Sequence, residues 1–209
     1  MRETVVKMVP MDAPESCDKT LKLLRQLRDA AEARDPERCQ FLLKSLFMDL
    51  EFYSALAVVI ERAQSFLETF EHYYPDGQFA RQILTQMVNT GTAPSRLPAE
   101  AERDFEYPGG ANYMKALSDL AHALQPGPLP PRIGYLVEAT VNAIMAELVE
   151  HYYGRRMEAW QILRANPETP EARAIAYAFW TDDEVALLDT DHWLSLADSI
   201  EAQLRRQLR

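Results

Sequence analysis

Apolar residues recur at intervals of three and four along most of this chain, which is the spacing of one face of an α-helix. The chain contains 7 glycines in 209 residues, and its helix-breaking residues are gathered into a few short segments. Signals for β-strands are nearly absent, since the β-branched run 4–9 has no partner run elsewhere and is interpreted as an extended arm. The pattern predicts an all-α fold, a helical bundle of about seven helices.

The longest predicted helix begins at Pro36, after a first helix that starts near residues 16–18 and ends at Asp35. Asp35 is a suitable N-cap, and proline is well suited to the first helical turn. No further proline or glycine occurs before Pro75, so this helix is predicted to be unbroken. Its segment 55–60 is apolar on every face, and we expect it to be covered all round or to lie in a subunit interface.

A proline-rich linker separates two similar halves of the pattern. The linker is 125–131; a short helix around 78–90, a loop and a helix at about 111–124 precede it, and helices at about 132–165, 170–180 and 191–208 follow it. Each half is therefore predicted to contain three helices, of which the first is the longest.

The two halves also share local sequence. Residues 68–84 align without a gap with residues 147–163, and nine of these 17 positions are identical. The match predicts an internal duplication, about 36–124 and 132–208, within a single domain, 1–209. Two three-helix units related by a pseudo-two-fold axis would then follow the N-terminal helix. The alternative is that one helical phrase recurs by coincidence.

The shared phrase, Glu-x-x-Glu-His-Tyr-Tyr, is the main candidate for chemistry. On a helix its first glutamate and its histidine lie one turn apart, and carboxylate with imidazole at that spacing can share a metal ion. Two such sets facing each other would give a site like the carboxylate-bridged di-iron or di-manganese bundles, although those bundles space Glu and His three apart. The predicted metal ligands are Glu68, Glu71, His72, Glu147, Glu150 and His151.

Two other interpretations of the same carboxylates and imidazoles stay open. A helical projection places them beside the apolar stripe rather than within it, which favours surface pairs at i,i+4 that stabilise each helix. They could instead form a polar contact between the two repeats or between subunits.

Each copy of the phrase ends in two tyrosines. Such pairs are typical of core packing near a helix end with the hydroxyl groups reaching water. If all four converged near the pseudo-axis they would line a ligand pocket or contact a partner. The four residues are Tyr73, Tyr74, Tyr152 and Tyr153.

Three other features have structural explanations. Asp49 lies on an apolar stripe, and we expect a salt bridge or an opening of the stripe to solvent there. The acidic run 181–192 is interpreted as helix caps, with Thr181 and Glu184 as a capping box and a cap for the last helix near residue 190. Cys17 and Cys39 lie in no metal or redox motif and are predicted to be small buried apolar residues.

The charge balance narrows the classes of partner. The chain has 22 basic and 32 acidic residues and a formal net charge of −10, which disfavours nucleic acid and anionic membranes as partners. It has no apolar run long enough to span a bilayer and no signal-peptide pattern at its start, so a cytoplasmic location is expected. No catalytic or phosphate-binding motif is present, which argues against an enzyme.

These observations favour a non-enzymatic soluble helical protein that acts through self-association, as a homodimer for example, or by binding a protein partner. No cofactor is expected for that function. One alternative is a carboxylate and histidine metalloprotein containing iron or manganese. The other is a small-molecule sensor or carrier with an aromatic pocket between the repeats.

Overall fold

The computed structural model describes residues 13–94 and 96–207, and it describes side chains from residue 18 onward. No strand occurs in these ranges, which confirms the all-α prediction. The predicted arm 4–9 and the side chain of Cys17 lie outside the described residues. The helices are α1 Ala13–Glu32, α2 Pro36–Asp49, α3 Phe52–Ser65, α4 Leu67–Tyr73, α5 Gln78–Thr90, α6 Gly110–Ala123, α7 Leu129–Tyr153, α8 Met157–Ala165, α9 Pro170–Trp180 and α10 Asp183–Gln207, with a 3₁₀ helix at Ala99–Glu102.

The prediction of one unbroken helix after Pro36 is wrong. The chain leaves the helical conformation at Leu50, where ψ is 154°, and at Glu51, where ψ is 136°, so that α2 and α3 are separate. A second break at Phe66 separates α3 from α4. Both α2 and α3 pack against α7.

The second half differs from the sequence prediction in the same way. The helix predicted over 132–165 is two helices, α7 and α8, and the closing helix begins at Asp183 rather than near Asp191. Asp182 caps this helix, because its Oδ1 accepts hydrogen bonds from the backbone N–H groups of Glu184 and Val185. The acidic run thus begins a helix, with Asp182 rather than Thr181 as the cap, and the predicted cap near residue 190 is wrong because that residue lies inside α10.

Helix α7 lies at the centre of the core. It forms a hairpin with α6 and also contacts α2, α3 and α10, while α1 covers α2 and α10. A helix surrounded in this way needs apolar or internally bonded residues on most of its faces. Its buried residues accordingly include Thr140, whose hydroxyl donates to the carbonyl of Leu136, and Asn142, which donates to the carbonyl of Glu138.

The start of α6 lies directly against the backbone of α7. Gly109 precedes α6 with φ of 79°, a left-handed conformation that glycine adopts without strain. A Cβ atom at this position would lie 2.3 Å from the carbonyl oxygen of Ala146. The close approach of these two helices therefore depends on the absence of a side chain at residue 109.

The segment 55–60 is covered within the chain. Ala55, Leu56, Val58, Val59 and Ile60 are buried, and Ala57 alone of the six is exposed. Helix α3 contacts α6, α7 and α10 as well as its neighbours in sequence. The segment is therefore covered by neighbouring helices of the same chain except at Ala57.

Asp49 has the partner that its position on the apolar stripe predicts. Its Oδ2 lies 2.9 Å from Nζ of Lys19, on α1. The ion pair lies at the edge of the core, since the lysine side chain is mostly exposed.

None of the described helices combines the length and the apolar character needed to cross a membrane.

Candidate functional site

The carboxylate of Glu147 is held in a polar cluster between α3, α7 and α10. It forms an ion pair with Arg62 and accepts a hydrogen bond from the hydroxyl of Ser65. The Arg62 and Glu147 side chains retain 11% and 21% of their exposure, so solvent screens the pair only weakly. The imidazole of His192 completes the cluster, with Nε2 3.5 Å from Glu147 Oε2.

His192 in this cluster is neutral and has a defined tautomer. Nη2 of Arg62 lies 3.0 Å from Nδ1 of His192, and because a guanidinium can only donate, Nδ1 must accept and the proton resides on Nε2. Burial, followed by the charges of Arg62 and His151, lowers the pKa of His192 to about 3. The contact between His192 and Glu147 is therefore not an ion pair at neutral pH.

We expect His192 to make the protein less stable as the pH falls. Its folded-state pKa of about 3 lies below the ordinary value of 6.5, so the unfolded state binds the proton first. The contribution of His192 to the free energy of unfolding is complete above pH 6.5 and is lost as the pH falls toward 3. The free energy of unfolding then changes by at most about 1.4 kcal/mol per pH unit. Urea unfolding at pH values between 7 and 5 measures that slope while most carboxylates stay ionised.

His192→Gln is the control for this slope, because it removes the titrating group and keeps an amide that can accept from Arg62. An equal slope in the variant and in the wild type would assign the pH dependence to other groups.

The remaining predicted metal ligands have separate partners. Glu150 Oε1 accepts the hydroxyl of Tyr73 at 3.1 Å, and His151 Nε2 lies 3.1 Å from Glu184 Oε1. Glu71 Oε1 accepts Nε–H of Arg81 at 2.9 Å. In the first copy of the phrase, Glu68 and His72 are exposed, and the His72 ring packs edge-on to Tyr73.

The six residues are not brought together as one ligand set. Within 13–94 and 96–207, no group of three or more His, Cys, Asp or Glu residues is placed to hold a metal ion. Glu150 instead contacts Tyr73 of the other shared segment, and Glu147 contacts Arg62 and Ser65, which precede that segment. The metal site stays a prediction, and elemental analysis of purified protein tests it.

The four tyrosines lie in two aromatic clusters. The hydroxyl of Tyr74 accepts the backbone N–H of Tyr107 at 2.8 Å, and the hydroxyl of Tyr153 donates to the carbonyl of Ile175 at 3.4 Å. Tyr152 and Tyr153 both pack on Phe179. Burial raises the pKa of Tyr153 to about 12. These tyrosines pack near helix ends, as predicted, but at Tyr74 and Tyr153 the hydroxyl group bonds to the backbone.

An apolar cleft, which we call the tryptophan cleft, is the largest candidate binding site that we describe. Its volume is about 760 Å³, within the range of small-molecule sites. It lies between α2, α7, the end of α9 and the start of α10. The lining residues are Arg34, Pro36, Gln40, Val141, Ile144, Met145, Leu148, Trp180, Thr181, Asp182, Asp183, Val185, Ala186, Asp189 and Trp193.

Asp189 is one of three aspartates that line the tryptophan cleft, together with Asp182 and Asp183. Burial raises its pKa, and a hydrogen bond with Trp193 opposes that shift. Cys39 is buried close by, and burial together with the charges of Asp189 and Asp35 raises its pKa to about 12. Cys39 is therefore a protonated, buried thiol, which agrees with its prediction as a small apolar residue.

Helix α9 carries a second candidate surface. Residues 174–180 are all apolar, yet Ala172 and Phe179 are the buried residues of the helix. Tyr177 and Trp180 keep 71% and 66% of their exposure. We call Ala174, Tyr177, Ala178 and Trp180 the α9 face. The sequence signal for this face is its run of seven consecutive apolar residues, whereas the prediction of self-association rested on segment 55–60.

A second cleft, of about 450 Å³, lies between the loop after α5 and helix α6. Its charged side chains already pair with one another, Asp119 with Lys115 at 3.1 Å and Arg96 with Glu102 at 3.0 Å. This cleft therefore offers less to a ligand than the tryptophan cleft does.

Comparisons of the chain with protein-family models, curated proteins and solved structures each found no match.

Proposed function

We propose that this protein is a non-enzymatic binding protein that self-associates through the α9 face. One observation carries the proposal: a helix that is apolar on every side is ordinarily covered on every side, yet α9 exposes Tyr177 and Trp180. Large exposed aromatic residues are also the residue types that contribute most to protein interfaces. The segment 55–60, which suggested self-association in the sequence, does not support the proposal because it is largely buried within the chain.

The occupant that best fits the α9 face is a second copy of α9. The charged residues of this helix, Glu171 and Arg173, are confined to its first turn, where Arg173 pairs with Glu168. Two copies of α9 packed antiparallel about a two-fold axis would bring their uncharged parts together and keep their two charged first turns apart. A neutral contact of this kind also avoids the repulsion expected between two surfaces of a chain with net charge −10.

The test is the oligomeric state. We expect the wild-type protein to sediment as a dimer at micromolar concentration and Tyr177→Glu to raise the dissociation constant at least about 30-fold, the effect of losing one central aromatic contact. Val88→Glu, which places the same charge at an exposed apolar residue on α5, should leave the dimer intact. A wild-type protein that is a monomer at high concentration would overturn the proposal.

The internal duplication belongs to the same proposal, and the helix bounds support it. Helices α3 and α4 together cover 52–73, and 79 residues later α7 covers the equivalent 131–152. Helix α5 begins at Gln78 and α8 begins 79 residues later, at Met157. Among the described residues of the first half, no helix of similar length corresponds to α9, and a 3₁₀ turn lies there. The proposed interaction surface thus lies on an element specific to the second half.

The net charge of the chain indicates which classes of partner the protein would not bind. A net charge of −10 supports the proposal that neither nucleic acid nor an anionic membrane is the partner. A cytoplasmic location is part of the same proposal.

A further inference from the structure

We infer that the tryptophan cleft binds an apolar organic cation, with Asp189 as the counter-ion of its charged group. This inference goes beyond the proposed self-association, and the two share Trp180, which belongs to the α9 face and also lines the cleft.

The apolar part of the ligand would contact the walls of the cleft. Four side chains of α7 line one wall, namely Val141, Ile144, Met145 and Leu148. Trp193 and Trp180 line the cleft from α10 and from the end of α9. An indole face attracts a cation held against it more strongly than other aromatic side chains do. The cleft thus combines apolar side chains with two indole side chains in its lining.

The charges around the cleft are unbalanced in the same direction. Asp182, Asp183 and Asp189 carry three carboxyl groups, and Arg34 carries the one basic side chain of the lining. Arg34 is already paired with Asp183, with Nη1 3.4 Å from Oδ1. Asp182 is engaged in capping α10. These carboxylates would repel an anionic ligand and attract a cationic one.

Asp189 is the acid that lacks a positive partner. No lysine, arginine or histidine in the described part of the chain forms an ion pair with it, although it is largely withdrawn from solvent. A carboxylate in such surroundings is stabilised by any cation that enters. A ligand with a protonated amine would supply that charge while its body covers the apolar walls.

The test compares two ligands that share one three-ring frame and differ in charge. The aminoacridine cation and the anthracene carboxylate anion are titrated into the protein at neutral pH by calorimetry. We expect the cation to bind at least about tenfold more tightly than the anion. Asp189→Asn should reduce this preference strongly, since the amide keeps the shape and removes the charge nearest the apolar walls.

The matched control is Asp191→Asn, which makes the same charge change at an exposed residue of the same helix. It should leave the preference unchanged, and circular dichroism should show that both variants are folded. Equal affinity for the two probes, no binding of the cation, or equal loss in the two variants would overturn the inference. The third outcome would show that the cation responds to the overall charge of the protein.

Discussion

Glu147→Gln should lower the free energy of unfolding by about 3 kcal/mol, the lower end of the cost of removing one partner from a buried ion pair. The change leaves the buried guanidinium of Arg62 without its counter-charge, beside an imidazole that is itself neutral. The amide oxygen can still accept from Ser65, which is why we expect the lower end of the range. Urea unfolding at neutral pH measures the effect.

The matched control for this substitution is Glu68→Gln, the same change in the other copy of the shared phrase. Glu68 is exposed and forms no ion pair within the described residues, so its replacement should alter stability by less than about 0.5 kcal/mol. Equal losses at the two positions would contradict the unequal roles that the structure gives them. If the two glutamates were instead equivalent metal ligands, both substitutions would reduce the metal content.

Gly109→Ala should destabilise the protein by about 4 kcal/mol, which is large for a single methyl group. The left-handed φ of 79° is strained for alanine, and the new Cβ would meet the carbonyl oxygen of Ala146 at 2.3 Å. That oxygen belongs to the backbone of α7, so it cannot move aside as the end of a side chain could. Thermal unfolding followed by circular dichroism gives the change.

Gly134→Ala is the control with the opposite sign. Gly134 lies inside α7, and an added Cβ would meet nothing within 4 Å. Alanine favours the helix by about 1 kcal/mol over glycine, so this variant should be more stable than the wild type. A Gly109→Ala variant as stable as the wild type would show that α6 and α7 can separate without cost.

Much of the secondary structure could be predicted because prolines and good caps mark its boundaries. The start of α2 at Pro36 follows from Asp35, whose carboxylate accepts the N–H of Arg38 as an N-cap. The break at Leu50 carries no such mark, since no proline or glycine lies near it, and the two helices that it separates both pack on α7. Sequence periodicity reports which residues are buried and does not report a change of direction between two helices.

The candidate sites show a similar limit. The segments 55–60 and 174–180 are both apolar on every face, yet the first is covered by three helices and the second is largely exposed. The tryptophan cleft is lined by Pro36 of α2, Met145 of α7 and Asp189 of α10, which lie on three different helices. Residue spacing along one helix cannot predict a site that four elements build together.

The first glutamate of the shared phrase has different surroundings in the two copies, and this difference affects how freely each glutamate can be substituted during evolution. Glu147 is held among Arg62, Ser65 and His192, whereas Glu68 projects into solvent. Under the proposed duplication, selection for a stable fold constrains the glutamate of the second copy and leaves its counterpart free to change. Random substitution would therefore replace Glu68 before Glu147.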